Sequence, residues 1–226
     1  MNQLVKTEEI WGALNDFERR HAPKELFVEG DASLLTEGLR VSVVGSRKAS
    51  EAGVKRGRQF CEALVRHGIT VVSGLAEGID TVAHETAIAM GGRTIAVLGT
   101  PLNKAYPAKN KRLLQTIKEE HLAVSQFPLG YPAKRENFPR RNRTMALISD
   151  ATVIVEAGET SGTRSQGWEA LRLGRLLFIM RNVADDPDLT WPKDMISHGA
   201  QVLSREDLPD VLYDIPSVTA GGAVAF

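Results

Sequence analysis

Six short runs rich in β-branched residues recur along this chain, at 41–44, 69–72, 94–98, 122–125, 152–155 and 176–180. Helical spacing of apolar residues fills the gaps between them. Helices are expected over 50–67, stopping at Gly68, over 79–90, ending at Gly91-Gly92, over 110–120, and near 166–173. Strands that alternate with amphipathic helices argue for an α/β fold, a mainly parallel sheet with helices on both faces. Right-handed crossovers then place every strand-to-helix loop on one edge of that sheet, where open parallel sheets bind ligands. The glycines and polar residues fall in those loops: Gly45-Ser46-Arg47, the stretch from Ser73 to Asp80, Gly99-Thr100, Lys134 to Arg143, and Glu156 to Thr163. One site built from five loops is the economical expectation.

Around that pattern, residues 1–38 read as an N-terminal extension, with Ile10, Trp11, Leu14 and Phe17 on one helical stripe and a short strand at 26–28. The α/β domain covers 39–214 and closes with a strand at 201–203 and a helix from Arg205. The Ser/Ala/Gly-rich tail, 215–226, is expected to be unstructured. The apolar stripe Leu208, Val211, Leu212 of the last helix is a candidate dimer surface, whereas Leu176 to Phe178 read as core. Lys and Arg together number 28, as do Asp and Glu, so nucleic-acid binding would need a local patch. Cys61 rules out an internal disulfide and shares helical spacing with Val54, Leu64 and Val65, which makes it a core thiol. No apolar run reaches membrane-spanning length and the first residues lack a hydrophobic signal core, so a soluble, cytoplasmic protein is expected.

The local patch is evident. Between Lys134 and Arg143 stand five cations, one acid and Phe138. Pro139 suits the first turn of a helix, where its missing N–H costs nothing. Cations at a helix N-terminus oppose the backbone dipole, an arrangement that makes sense when an anion sits among them. With Phe138 as a stacking face, phosphate plus base is the preferred ligand, against a plain solvated turn. Ser46 and Arg47 follow the first strand of the α/β domain, where a hydroxyl, a helix N-terminus and a guanidinium can hold a phosphate. The dinucleotide fingerprint is absent, since the next glycine after Gly45 is Gly53, and no Gly-Lys-Ser/Thr phosphate loop occurs. Ser73, Gly74 and Gly78 allow close backbone approach to a ligand, and Asp80 reads equally as a site residue or a helix N-cap. His84, one turn further, lacks a nucleophile to serve and reads as a helix-surface or core histidine. Glu156 and Glu159 read as partners for the arginines of the basic segment. His21, His67, His84, His121 and His198 are scattered without ligand spacing, so no metal and no cofactor is expected.

Taken in order, these segments resemble the DprA/Smf family of bacterial DNA-processing proteins. The likeness runs through Gly30-Asp31, Val44-Gly45-Ser46-Arg47, the Ser73–Asp80 loop, Ala83-His84, the run from Gly92 to Gly99, and Tyr106-Pro107 with Asn110. It continues in Phe138-Pro139-Arg140-Arg141-Asn142-Arg143, Val155-Glu156-Ala157, Ser161-Gly162 and His198-Gly199-Ala200. The resemblance implies an extended Rossmann-like domain that binds single-stranded DNA without catalysis, forms homodimers and loads a RecA-type recombinase onto DNA during natural transformation. By motif, Gly45, Ser46, Arg47, Ser73, Gly74, Gly78, Asp80, Ser161 and Gly162 would line the pocket. Lys134, Asn137, Phe138, Arg140, Arg141, Asn142 and Arg143 would bind the strand. After Ser161-Gly162 the chain departs from the family's small and apolar pattern, running Thr163-Arg164-Ser165-Gln166-Gly167-Trp168. Gly162-Thr163 also resembles the centre of the signature of lysine-decarboxylase-like phosphoribohydrolases, but Gln166 occupies their acid's position and the next acid is Glu169. A nucleotide-binding sensor would use the same pocket.

Overall fold

The computed structural model describes residues 3–11 and 14–216 of the chain. Strands β1 (Gln3–Lys6) and β2 (Glu25–Gly30) bracket two short helices, α1 (Thr7–Trp11) and α2 (Asp16–His21). The α/β part follows as β3 (Arg40–Gly45), α3 (Glu51–Arg66), β4 (Thr70–Ser73), α4 (Ile79–Ala89), β5 (Thr94–Leu98), α5 (Lys111–Glu120) and β6 (Leu122–Ser125). It continues with α6 (Asn137–Ile148), β7 (Ala151–Glu156), α7 (Thr163–Arg172), β8 (Leu176–Met180), α8 (Arg181–Ala184), α9 (Trp191–Ser197), β9 (Gln201–Leu203) and α10 (Leu208–Asp214).

Among the described residues nine strands form one sheet in the order β1-β2-β6-β5-β4-β3-β7-β8-β9. From β6 to β9 all neighbours pair in parallel, as the repeated pattern requires. Strands β1 and β2 are not an appendage to this sheet but extend it, β2 pairing antiparallel with β6 through Val28 and Val124. The expected single stripe is broken, with Ile10 and Trp11 in α1, Leu14 in neither helix and Phe17 in α2, because a capping box of Asn15 and Glu18 starts a new helix.

Alternation along the central strands sorts side chains to two faces. Val41, Val43, Val153 and Val155 pack under α3 and α4 with Phe60, Cys61, Leu64 and Ala83. Val44 and Ile154 point the other way, towards Met145, Ala170 and Met195 of α6, α7 and α9. Burial pushes the Cys61 thiol far up, as suits a core residue. Leu212 is buried, and Leu208 and Val211 pack against the same core, so the apolar stripe of α10 is spent inside the molecule. The structure corrects two boundaries, since α7 begins at Thr163 and α10 at Leu208, and it adds α8 and α9 where no helix was expected. The tail lies outside the described residues from 217 onward.

Strands β4, β5 and β6 fan out to one side of β3, while β7, β8 and β9 lie on the other, so the winding reverses between β3 and β7. Arg40 and Asp150, at and just before the starts of these strands, form an ion pair of 3.2 Å with both side chains almost wholly buried. Arg40 also donates through Nε to the Ile148 carbonyl at 2.8 Å and through Nη1 to that of Leu35 at 3.0 Å. Removing one partner of such a pair leaves an uncompensated buried charge. Asp150→Ala is therefore expected to cost about 3–5 kcal/mol in urea unfolding. Asp150→Asn, which can still accept from the Arg40 backbone N–H, should cost less. Equal midpoints for Asp150→Ala and the parent chain would rule out this role for the pair.

Candidate functional site

The switch between β3 and β7 opens into a cleft of about 900 Å³ at the carboxyl ends of the strands. Its lining comes from the loops after five strands: Gly45 to Lys48 after β3, Ala76 and Asp80 after β4, Tyr106 after β5, Lys134, Arg135, Phe138, Arg141 and Asn142 among those after β6, and Ser161 to Thr163 and Gln166 among those after β7. The expected Gly99 and Thr100 do not line it. Arg47, Lys48, Lys134, Arg135 and Arg141 are its cations. Phe138 lies in the wall, 5.1 Å from the Tyr106 ring between centroids and with Arg47 Cζ 5.8 Å from its own centroid. Tyr106 is 48% exposed, so the pair presents an open aromatic face beside the cations.

Arg141 is the unusual member. Its side chain is only 6% exposed, with Nη1 3.3 Å from the Val97 carbonyl and 4.0 Å from Asp80 Oδ2, while Nε has no partner. Burial pulls the guanidinium below its ordinary pKa and the charge of Arg47 adds to this, with Asp80 opposing. Gly74 admits it: a Cβ there would lie 1.2 Å from Nη1. Asp80 in turn accepts from the N–H groups of Gly74 at 3.2 Å and Ala76 at 3.3 Å. It sits inside the first turn of α4, whose N-cap is Gly78, so it closes the preceding loop rather than capping the helix. Burial raises its carboxyl, with Arg141 and the two N–H groups opposing.

Several expected site residues support the cleft without lining it. Ser73 is buried and donates to the Val43 carbonyl at 2.7 Å, tying β4 to β3. Gly78 has φ of 73° and no room for a Cβ, which would meet the Ser46 carbonyl oxygen. Asn137 is fully buried and donates to the Pro132 carbonyl at 3.0 Å. Arg140 and Arg143 are turned off the cleft. They line a separate hollow with His21, Lys24 and Gln126. Arg140 stacks on Phe127 at 5.2 Å, and Arg143 is bound to Glu169 at 2.7 Å.

The acids differ from expectation as well. Glu156 accepts from Ser50 N at 2.9 Å and pairs with Arg56 at 3.3 Å, so a carboxylate already occupies the N-terminus of α3 where a phosphate was expected. Glu159 holds Thr190 and Arg164, and its hydrogen bonds from Thr190 keep its carboxyl below the usual range. Neither touches the basic segment. Glu169 pairs with both Arg143 and Arg172 and does not line the cleft. Among the described residues no group of His, Cys, Asp and Glu is arranged to hold a metal ion, and no helix is long and apolar enough to cross a membrane.

Sequence reading missed Lys48, Arg135, Tyr106 and Gln166 as lining residues. The first two adjoin residues already chosen, whereas Tyr106 and Gln166 are brought in by folding alone.

A sequence profile described as DNA recombination-mediator protein A matches residues 4–215. Protein Smf of Escherichia coli is 40% identical over 186 residues, 82% of this chain and 50% of that protein. DNA processing protein DprA of Bacillus subtilis is 32% identical over 187 residues, 82% of this chain and 63% of that one. The chain thus spans about half to two thirds of these relatives. The X-ray structure of DprA from Streptococcus pneumoniae superposes with a TM-score of 0.83 at 32% identity, covering 96% of this chain and 75% of that one. DNA processing protein A from Helicobacter pylori, described with its single-stranded DNA binding mode, has the same fold, with a TM-score of 0.81 at 24% identity over 96% of this chain and 98% of that one.

His84 packs beneath the cleft, its Nδ1 2.7 Å from Thr94 Oγ1. Burial pushes its pKa down to about 3, from an ordinary 6.5, so it is unprotonated at neutral pH but too weak a base to hold an abstracted proton. The unfolded chain takes up this proton first. The stability that neutral His84 provides is complete above pH 6.5 and is lost as pH falls towards 3. The loss is about 1.4 kcal/mol per pH unit. Stability curves of the parent chain should be steeper over that window than those of His84→Leu, and parallel curves would contradict a neutral buried imidazole.

Proposed function

The chain belongs to the DNA recombination-mediator protein A family, and we propose that it binds single-stranded DNA in the β3–β7 cleft as a non-catalytic DNA-processing protein. The observation that carries this reading is the lining of the cleft: five cations and an aromatic pair gathered in a protein of zero net charge. Cations that follow a backbone, next to rings on which bases stack, make a single-strand site with little sequence readout. Arg141 fits the role, because a phosphate oxygen can take the Nε donor that the fold leaves unpartnered. The Helicobacter pylori protein offers a precedent for strand binding on this fold.

The rest of the reading follows the family. The chain acts in the cytoplasm on DNA taken up for transformation or recombination, with a RecA-type recombinase as its protein partner and a homodimer as its assembly. With the α10 stripe buried in the core, that dimer would form through other surfaces. The absence of catalysis is supported by the site itself: Gln166 stands where the hydrolase needs an acid, and Glu169 is held by two arginines. An amide cannot act as a general base.

Fluorescence anisotropy with oligo-dT, duplex of equal length and mononucleotides tests the reading. Oligo-dT should bind tightest. At about −0.7 per phosphate, three to five neutralised phosphates give a slope of log K against log salt between about −2 and −3.5. Arg47→Ala, Lys134→Ala and Gly74→Ala (which displaces the Arg141 guanidinium) should each flatten it, while Arg143→Ala should not. Phe138→Ala should lose about 1–3 kcal/mol of affinity with the slope kept. Duplex binding as tight as oligo-dT, or a slope near zero, would overturn the proposal. Tight mononucleotide binding with indifference to oligonucleotides would point to a nucleotide sensor.

A further inference from the structure

The two walls of the cleft differ in chemistry. Its cations, Arg47, Lys48, Lys134, Arg135 and Arg141, all stand on the β3 and α6 side. The wall after β7 contributes Gly158, Thr160, Ser161, Gly162, Thr163, Ser165 and Gln166, none of them charged. A strand whose phosphates follow the cations would turn its bases towards this neutral wall.

Gln166 is the residue there with unused capacity. It is 1% exposed, and neither its Nε2 nor its Oε1 has a hydrogen-bond partner. The hydroxyls nearest in sequence do not serve it, since Ser161 and Thr163 bond each other at 2.9 Å. Across the helix interface Asn142 lines the same cleft and forms no side-chain hydrogen bond among the described residues. A buried donor and acceptor without partners destabilise a fold, and a leucine of similar size would fill the space without that penalty. Retaining a carboxamide at the cleft wall makes sense when a ligand supplies the partners.

A carboxamide presents one acceptor beside one donor. Adenine offers the complementary pair on both its Watson–Crick and its Hoogsteen edge, whereas cytosine and thymine offer one such edge each. We propose that Gln166 reads one base of the bound strand and favours adenine, Oε1 accepting from the N6 amino group while Nε2 donates to N7 or N1. This inference rests on strand binding in the cleft and adds to it a preference for one base at one position.

Equilibrium binding of labelled dA, dC and dT oligonucleotides of equal length tests it, together with an oligonucleotide of unsubstituted purine, which lacks the N6 amino group. The parent chain should bind oligo-dA about twofold more tightly than oligo-dC, since adenine offers two complementary edges and cytosine one. That preference should vanish with the purine strand. Gln166→Leu should bring the dA to dC ratio to about one without changing the salt slope. Gln166→Glu, an acceptor only, should turn the preference towards dC through its N4 amino group. The purine strand probes the unaltered protein, so the idea stays testable if a variant fails to fold. Equal ratios in the parent chain and Gln166→Leu, or full dA affinity for the purine strand, would overturn the role of Gln166 and leave strand binding intact. Failure to bind any oligonucleotide would instead remove the cleft reading itself.

Discussion

Everything that matters for function hangs on the pairing of β3 with β7, which Arg40 and Asp150 lock from below. The ion pair lies on the edge opposite the cleft and also collects the carbonyls of Ile148 and Leu35. At the other end the Glu156 carbonyl accepts from Ser46 N at 2.7 Å, and the Glu156 carboxylate holds Ser50 at the start of α3. Between these two ties the strands stay in register up to a shift at Val44 and Gly45. Beyond it the two chains part, one towards α3 on one face of the sheet and one towards α7 on the other. A crevice must form where they separate, as at any reversal of winding in an open parallel sheet.

A neutral protein acquires a basic cleft by neutralising charge elsewhere. Glu156 is bound to Arg56 and Glu169 to Arg143 and Arg172, all outside the cleft lining. Within it, the cations outnumber the single acid, Asp80, whose carboxylate is already taken up by backbone N–H groups and the neighbouring Arg141. Low-dielectric walls strengthen the field of what remains. Arg141 shows how much the fold invests in this. A buried cation is costly to hold, and the protein provides it a glycine niche, one carbonyl and one distant carboxylate, with Nε left unpartnered.

The division of the basic segment is legible in the sequence. Phe138, Arg141 and Met145 recur at helical spacing and face the cleft, whereas Arg140 and Arg143 form the next stripe round the helix and face another hollow. The rotation of about 100° per residue that separates neighbours on a helix splits the run into two patches. Glu169 as the partner of Arg143 was out of reach, because they stand 26 positions apart in the chain and only the packing of α6 on α7 closes that gap.

Sequence by itself determined the order of strands and helices from β3 to β8, since hydrophobic period and glycine stops are local signals that no distant contact is needed to read. It determined too that the binding edge collects the loops after the strands, because crossover handedness is a property of the L-polypeptide. Tertiary structure alone decided that β1 and β2 complete the sheet at β6, since an antiparallel edge strand has no local signature of its neighbour. It likewise decided which polar residues reach the cleft. Ser73 and Asn137 look like ligands in sequence and are spent inside the fold, while Tyr106 and Gln166 arrive at the wall through packing between elements far apart in the chain. A side chain's type says what it can bind, but its surroundings decide whether that capacity is already used.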